Sequence, residues 1–232
     1  MGNTNFHYEQ RRLENERVIL EVFDPAAHAA QFVRGITDNP DTLEYLSLPA
    51  FNSSEDFVKF YEENISSSLE ECLYAILDKA SIQDGRRSDE VFAGVISLTA
   101  TNKSKACTEL GIIVFPAFQR THVTTNAAGL LLMYALDPPS QGGLGLRRVE
   151  WQAHTENAAS RRAALRLGFE LEGILRWQRV VLANRRGIAV DELERRNGTK
   201  GESRGRHTAI YSIVWEEWDE KRIKLLSMMD GK

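Results

Sequence analysis

The sequence of 232 residues predicts a single α/β (α+β) domain whose sheet is mostly antiparallel, with six to seven strands and four flanking helices. Segments in which apolar residues recur at helical spacing alternate with short segments rich in β-branched residues. Three of these short segments follow one another with only turn-like stretches between them, which favours antiparallel pairing. With 42% hydrophobic and 27% charged residues, the chain can bury one sizeable core.

The first half of the chain supplies a strand, two helices and three strands. Residues 17–23 predict a strand, and Asp24 followed by Pro25 is typical of a helix start. A second helix is indicated from Ser54, where acidic residues complement the dipole of the first turn. The three consecutive strand segments are Cys72 to Leu77, Val91 to Thr101 and Thr108 to Phe115, separated by turn-like residues that include 81–89.

The second half predicts a helix over residues 123–136, because its apolar residues recur at helical spacing and two prolines follow it. Residues 147–154 change to a period of two, which indicates a half-buried strand. Asn157 then caps a helix that Gly168 ends. Two last strands are expected at Leu171 to Leu182 and His207 to Trp215.

These elements suggest an N-terminal extension over residues 1–16, one domain over 17–218 and a C-terminal tail over 219–232. Residues 185–206 are polar, contain glycine and lack sustained periodicity. We therefore interpret them as a mobile insertion loop, too long for a plain hairpin.

Charge and composition argue against several classes of partner. Lys and Arg total 29 against 33 acidic residues, and this net charge of -4 creates no field that attracts nucleic acid or an anionic membrane. No apolar stretch reaches the ~20 residues of a membrane span, and the start of the sequence lacks an apolar signal region. We expect a cytoplasmic protein, with a nuclear location left open, and neither nucleic acid nor membrane as partner.

The cysteines and histidines predict neither a metal nor a structural disulfide. Cys72 and Cys107 are isolated, and the five histidines show none of the close pairings that build a zinc site.

One run of residues resembles a known family. Asn157 and Ser160 match an N-x-x-S pattern, and the continuation matches G-F-x-x-E-G-x-x-R at Gly168, Phe169, Glu172, Gly173 and Arg176. This run resembles the branch of the GNAT superfamily that includes the RimJ/RimL protein N-terminal acetyltransferases. The resemblance implies a GNAT fold with a splayed sheet and transfer of an acetyl group from acetyl-CoA to a primary amine. The acceptor would be a protein N-terminus or a small amine.

The resemblance also implies which residues hold acetyl-CoA. Ile113 and Val114 would offer backbone hydrogen bonds to pantetheine, in the manner of strand addition. The family's phosphate loop, R/Q-x-x-G-x-G/A, aligns with Gln119, Arg120, Thr121, His122, Val123 and Thr124. His122 and Thr124 thus replace two small residues, and Arg120, Thr121 and Thr124 would compensate with charge and hydroxyl donors. The alternative is that Thr121 or Thr124 simply caps a core helix.

Two positions on the next helix extend this set. Asn157 would bond the pantetheine amide, although it is also a plausible N-cap residue and nothing more. Arg162, with Arg161 and Arg166, would reach the ribose phosphate of the coenzyme. An arginine-rich helix face is more often simply solvated.

Three residues are candidates for catalysis. By the resemblance, Ser160 would protonate the departing thiolate, because Ala164 occupies the position of the tyrosine that many superfamily members use; alternatively it bonds the local backbone. Glu109 is our candidate for accepting the amine proton, against the alternative of a solvated strand residue. His154 is a weaker candidate base whose ordinary pKa of ~6.5 would suit the work.

The acceptor and the assembly stay open. Tyr211 would line the acceptor pocket by the resemblance, although core packing is the more common role of a lone strand tyrosine. The glycine-poor loop and the missing tyrosine favour an alternative, a catalytically silent acyl-CoA-binding regulatory or interaction module. The sequence does not fix the oligomeric state, and a dimer is left open.

Overall fold

The computed structural model describes residues 5–84, 91–182 and 185–231. Eight strands form one sheet in the order β1-β2-β3-β4-β5-β6-β8-β7. All neighbouring strands are antiparallel except β5 and β6, which are parallel. The strands are β1 Leu13–Glu14, β2 Val18–Val22, β3 Cys72–Asp78, β4 Phe92–Asn102, β5 Cys107–Val114, β6 Arg148–His154, β7 Glu170–Val180 and β8 Gly205–Val214.

Seven α-helices lie within the described residues. They are α1 Pro25–Asp38, α2 Ser54–Tyr61, α3 Lys79–Gln83, α4 Val123–Leu136, α5 Ala158–Arg166, α6 Asp191–Asn197 and α7 Trp215–Met229. The α/β class is confirmed, but six to seven strands and four helices was too low a count. The additional β1, α3 and α6 are two, five and seven residues long, too short to give a periodic apolar signal.

Local hydrogen bonds explain where the predicted helices begin and end. The Asp24 side chain accepts a 3.0 Å hydrogen bond from the N–H of Ala26 and so caps α1. Ser53, rather than Ser54, caps α2 by accepting from the N–H of Asp56 at 3.1 Å. After α5, Gly168 adopts a φ of +95°, the left-handed conformation that ends a helix at low cost.

Each face of the sheet is covered by its own layer of helices. One face packs against α4 and α7 through a core that includes Leu20, Tyr74, Ile96, Leu110 and Leu131. The other packs against α1 and α2 through an aromatic core that includes Phe23, Phe32, Phe57, Phe92 and Phe115. Almost every side of α4 is buried, so this helix lies between the sheet and α7.

Both predicted terminal segments belong to the domain where the structure describes them. Phe6 lies in the core beneath α4, and β1 pairs with β2. Residues 219–229 are not a tail, because they form most of α7 and bury Leu225 and Met229. The extension's residues 1–4, residue 232 and most of the turn predicted over 81–89 lie outside the described residues.

The segment predicted as an insertion loop has regular structure of its own. It contains α6, and Ile188 bridges to Gly205 at the start of β8. Arg186 contacts the loop that follows α1, through an ion pair with Glu44 at 2.8 Å and a 3.2 Å hydrogen bond to the hydroxyl of Tyr45. The mobility of this segment stays a prediction.

The parallel pair sets up the main irregularity of the sheet. β5 and β6 pair only from Cys107 to Glu109, opposite Arg148 to Glu150. Beyond Glu109, β5 keeps β4 as its neighbour and β6 keeps β8, so the two strands separate. In the described part of the chain, no helix is long and apolar enough to cross a membrane.

A buried aspartate fastens α7 to the end of α4. The carboxylate of Asp137 accepts from the indole N–H of Trp218 at 2.7 Å and from the guanidinium of Arg222 at 2.9 to 3.1 Å. Asp137 and Trp218 are both buried. Loss of this carboxylate leaves a buried indole donor and a half-buried cation without a partner.

We expect Asp137→Ala to lower the free energy of unfolding by about 2 to 4 kcal/mol, because breaking a buried charged network is costly. Urea unfolding followed by circular dichroism measures this change. Asp219→Ala, on the exposed side of α7, is the control and should shift the free energy by less than about 0.5 kcal/mol. Equal effects of the two substitutions would contradict the role given to Asp137.

Candidate active site

A cleft of about 1090 Å³ lies where β5 and β6 separate. Its walls come from β4, β5, β6 and α5, from the loop after α1, and from the end of β7 with the start of β8. Most residues nominated from the sequence line it: Glu109, Ile113, Val114, Gln119, Arg120, Thr121, Thr124, His154, Asn157, Ser160 and Arg162. Three nominated residues, His122, Val123 and Tyr211, do not.

The open edge of β5 can accept an extended chain. Ile113 and Val114 pair with β4 on one side, and β6 is no longer adjacent on the other. Gln119 donates its side-chain N–H to the carbonyl oxygen of Val114 at 2.9 Å, which ties the following loop to the end of this strand. An unpaired strand edge inside a cleft suits a ligand that carries amide groups in an extended arrangement.

The loop from Gln119 to Thr124 reaches its conformation without a glycine. Arg120 takes the left-handed conformation, with φ of +61°, whereas His122 has an ordinary helical φ of -66°. His122 Nε2 lies 2.9 Å from Asp78 Oδ1, so the ring turns away from the cleft. The side chain of His122 therefore does not line the cleft, and neither does the side chain of Val123, which is fully buried in the core. That the two residues hold the coenzyme through their backbone stays a prediction.

The N-terminus of α4 is suited to an anion. The side chain of the N-cap residue, His122, accepts no hydrogen bond from the helix. The N–H groups of the first turn of α4 therefore face the loop. Thr121 donates its hydroxyl to the carbonyl of Phe118 at 2.6 Å, and it accepts from the N–H of Val123 at 3.3 Å. Thr124 lines the cleft beside this turn.

Arginines surround this end of the cleft. Arg120, Arg162 and Arg166 line it, and Arg166 donates to the hydroxyl of Thr125 in the first turn of α4 at 2.6 Å. Arg161 differs from its neighbours, because it donates to the hydroxyl of Tyr211 and to the carbonyl of Thr155, both at 3.0 Å. It therefore holds α5 against β8 instead of facing the cleft.

Asn157 and Ser160 stand together at the start of α5. Asn157 Oδ1 accepts from the N–H of Ser160 at 3.0 Å, so this side chain is an N-cap and also lines the cleft with its amide group. Ser160 Oγ accepts from the indole N–H of Trp151 at 2.9 Å. A hydroxyl has one proton to donate. Since the indole occupies an acceptor position of Ser160, that proton is available to a group in the cleft.

Glu109 is the last residue of β5 before the gap. It shares a face of the strand with Gly111 and Ile113, which also line the cleft. Burial raises the pKa of Glu109 to about 7, an effect that the cations Arg179 and Arg206 oppose. The carboxyl group thus changes protonation near neutral pH, which suits a general base.

His154 is poorly arranged for the same task. It is 1% exposed, and its Nδ1 accepts from the N–H of Glu156 at 3.0 Å. The neutral ring therefore carries its proton on Nε2, which is buried and has no hydrogen-bond partner. Burial lowers the pKa of His154. The ring offers a donor to the cleft, not the free lone pair that a base requires.

Tyr211 is a core residue. It is 1% exposed, lies among the apolar residues beneath α4, and accepts from Arg161. The expectation that it lines the acceptor pocket is wrong, and the core-packing alternative holds.

Among the lining residues that sequence reasoning missed are Arg179 and Arg206, which pair directly across β7 and β8. The only signal was the basic character of residues 185–206. In the described ranges, no group of three or more His, Cys, Asp and Glu residues could hold a metal ion. Cys72 and Cys107 are free thiols.

The chain is similar in sequence and fold to known proteins. A family model described as the acetyltransferase (GNAT) domain matches residues 17–170. The uncharacterized N-acetyltransferase YoaA of Bacillus subtilis strain 168 is 26% identical over 167 residues, which cover 71% of this chain and 85% of that protein. A GCN5-related N-acetyltransferase from Brucella melitensis has a TM-score of 0.75 at 27% identity, and the match covers 96% of this chain and 87% of that chain.

A more distant solved structure is Mycobacterium smegmatis RimJ in complex with CoA-disulfide, with a TM-score of 0.67 at 14% identity. The match covers 95% of this chain and 93% of that one, and at this identity it shows a common fold alone. The family match over residues 17–170 is longer than half of the 232 residues and contains both strands that flank the cleft. This chain therefore belongs to the GNAT family of acetyltransferases.

Proposed function

We propose that this protein is an N-acetyltransferase of the RimJ/RimL-type branch that transfers the acetyl group of acetyl-CoA to a primary amine by direct attack. The amine belongs to a protein N-terminus or to a small molecule. The observation that carries this proposal is Glu109, a partly buried carboxyl group whose pKa is raised to about 7, at the point where β5 and β6 separate. Membership of the acetyltransferase family supports the same reaction.

The residues of the cleft fit acetyl-CoA, which supplies an activated acetyl thioester when bound. The open edge of β5 at Ile113 and Val114 suits the amides of pantetheine, and Asn157, which lines the same cleft, would hydrogen-bond one of them. Arg120, Arg162 and the first turn of α4 match the phosphates. RimJ, which has the same fold, was solved with a derivative of coenzyme A.

Two side chains then handle protons. An alkyl amine is mostly protonated at neutral pH, so Glu109 removes a proton before or during attack on the carbonyl carbon. As the C–S bond breaks, Ser160 donates its hydroxyl proton to the sulfur and takes up the second proton that the attacking nitrogen loses as the amide forms, so the serine ends the step neutral. The indole of Trp151 holds that hydroxyl in place. The remaining catalysis comes from holding amine and thioester in reacting distance.

The geometry weakens the case for a catalytically silent module. That alternative rested on the glycine-poor loop and on the missing tyrosine. His122 adopts an ordinary helical φ and turns its ring towards Asp78, and the hydroxyl of Ser160 stands in the cleft in place of the tyrosine. Release of thiol from acetyl-CoA in the presence of amines tests the proposal directly. Binding of acetyl-CoA without amine-dependent thiol release would favour the silent module, and absence of binding would overturn both.

We expect Glu109→Gln to lower kcat/KM by about 100-fold, the usual scale of general base catalysis. The wild-type kcat/KM should rise with pH through about 7 as Glu109 loses its proton, and the variant should lack this rise. Thiol release measured from pH 5.5 to 9 checks both points. Glu70→Gln, at an exposed carboxylate, should keep the wild-type profile.

The same variant has a separate effect on stability. Because the folded pKa of Glu109 exceeds its ordinary value, the wild type loses stability as pH rises from about 5 to 8. At pH 8, Glu109→Gln should therefore be more stable by roughly 1 to 3 kcal/mol. An inactive variant that is also less stable at pH 8 would mean that misfolding, not loss of the base, explains its inactivity.

We expect Ser160→Ala to lower kcat by about 100-fold and to change the Kd of acetyl-CoA less than about threefold. The reason is that its proton is needed only when the thiolate departs. The rate of thiol release measures kcat, and calorimetric titration measures the Kd of acetyl-CoA. Ser54→Ala, at the start of α2, is the control. Unchanged turnover of Ser160→Ala would remove Ser160 from the mechanism.

Two substitutions separate the roles of Asn157. Asp is as good an N-cap as Asn, so Asn157→Asp should preserve stability while replacing the amide that faces the cleft with a carboxylate. We expect it to weaken acetyl-CoA binding at least about tenfold. Asn157→Ala should lose the cap as well and cost about 1 kcal/mol of stability. Calorimetry and urea unfolding measure these effects, and unchanged affinity in Asn157→Asp would show that Asn157 is a cap only.

A further inference from the structure

One half of the cleft has no role in holding the coenzyme. It lies on the side of Glu109 that faces β8, and we define it as the acceptor pocket, formed by Glu109, Gln152, His154, Arg179 and Arg206. The loop after α1 covers it, since His154 lies 5.3 Å from the ring of Tyr45 and Arg206 contacts the carbonyl of Tyr45 at 3.5 Å.

The first observation is a buried arginine without a direct ion pair, although Glu109 lies near enough to act on its pKa. Arg206 is 5% exposed, and its guanidinium contacts only neutral acceptors, the hydroxyl of Thr208 at 3.0 Å and the carbonyl of Tyr45. Within the described residues, no carboxylate lies within 4.0 Å of it. Buried charges in proteins are ordinarily paired, because an unpaired one carries a large desolvation cost.

The second observation makes this arrangement more costly. Arg179 of β7 lies directly opposite Arg206 in the β7–β8 register. Like charges in facing strand positions destabilise a sheet. Arg179 itself contacts the amide oxygen of Gln152 at 3.4 Å. Burial and the nearby Arg179 lower the pKa of Arg206 to about 10, so Arg206 remains cationic at neutral pH.

The third observation is independent of the arginines. His154 Nε2 carries a proton, is buried and has no hydrogen-bond partner, and the residue lines the pocket. A buried unsatisfied donor in a native fold requires an explanation, and a bound acceptor atom is one. Among the described residues, the pocket therefore contains two arginines that have only neutral acceptors and one buried donor that has no acceptor.

The carboxylate of the pocket and those near it do not supply that acceptor. In the proposed reaction Glu109 accepts the proton of the amine. Glu71 accepts a hydrogen bond from the N–H of Ala100 at 3.0 Å. Glu150 is held by Arg148 at 2.9 Å. The pocket thus combines one basic carboxyl group with an excess of positive charge beside it.

We propose that the acceptor is a primary amine that carries its own carboxylate, with the amine at Glu109 and the carboxylate at Arg179, Arg206 and His154. This proposal rests on the proposed acetyl transfer and narrows its substrate. Arginine suits a carboxylate because its planar group of donors can bind both oxygens. A polyamine would instead bring further positive charge next to two arginines. The carboxylate can come from a free amino acid or from an acidic side chain near a peptide N-terminus.

Thiol release with paired acceptors tests the proposal. The pairs differ only in charge: glutamate, β-alanine and 4-aminobutyrate against their carboxamides, and a peptide beginning Ser-Glu against one beginning Ser-Gln. Spermidine is included as a polycation. We expect kcat/KM to be at least about tenfold higher for the carboxylate member of a pair, and the pair with the largest ratio identifies the source of the carboxylate.

Variants assign this preference to the arginines. Arg179→Gln, at an exposed position, should reduce the ratio towards one, and Arg179→Glu should shift the preference towards spermidine. Arg206→Gln should also reduce the ratio, although the loss of a buried side chain affects folding as well. Arg196→Gln, at an exposed position on α6, is the control and should leave the ratio unchanged.

The outcomes separate this inference from the proposed function. Equal rates for carboxylates and carboxamides, or a carboxylate preference that survives in Arg179→Gln and Arg206→Gln, would overturn the inference and leave acetyl transfer intact. Transfer to spermidine alone would do the same. If no acceptor gave thiol release, both the inference and the proposed acetyl transfer would be overturned.

Discussion

The early end of pairing between β5 and β6 is the constraint on which the rest of this structure depends. These are the one parallel pair among the described strands, and they share a ladder over only three residue pairs. Parallel neighbours need a long crossover connection. Here the crossover contains α4, so the same connection that makes the strands parallel brings the start of a buried helix to the mouth of the gap.

The position of Glu109 follows from that geometry. As the last residue of β5 that pairs with β6, it has a neighbouring strand on each side, and burial raises its pKa. Two cations on β7 and β8 oppose the rise. The pKa of this carboxyl group therefore results from two opposing effects, desolvation and nearby positive charge, which together leave the pKa close to neutral pH.

Much of the frame could be predicted from the sequence because its elements carry strong local signals. Helix α4 begins and ends where the apolar spacing and the following prolines place it, and Asn157 and Gly168 bound α5 as expected. Short elements escaped notice. Helix α7 was missed for another reason: its fixed position depends on the contacts of Asp137 with Trp218 and Arg222, more than 80 residues away.

The candidate site likewise contains residues that local sequence signals predict and residues whose position depends on distant contacts. Asn157 and Ser160 could be found because a motif fixes them, and their closeness follows from one helix turn. The orientation of the His122 side chain could not be predicted, since its hydrogen-bond partner Asp78 lies 44 residues earlier in the sequence. Arg179 and Arg206 were missed because the register of β7 with β8 contains two irregularities and follows a long insertion. The alternation of residues in β8 indicates which residues share a face with Tyr211. It does not indicate whether that face packs in the core or lines the cleft.

The loop over the acceptor pocket owes its position to a distant part of the chain. Arg185 donates to the carbonyl of Leu48, and Arg186 contacts Glu44 and Tyr45, about 140 residues earlier in the sequence. Insertions or deletions among residues 187–204 would therefore reposition this cover without altering any group that reacts. Relatives that differ only in this surface segment can thus diverge in the amines they admit while keeping the same catalytic centre.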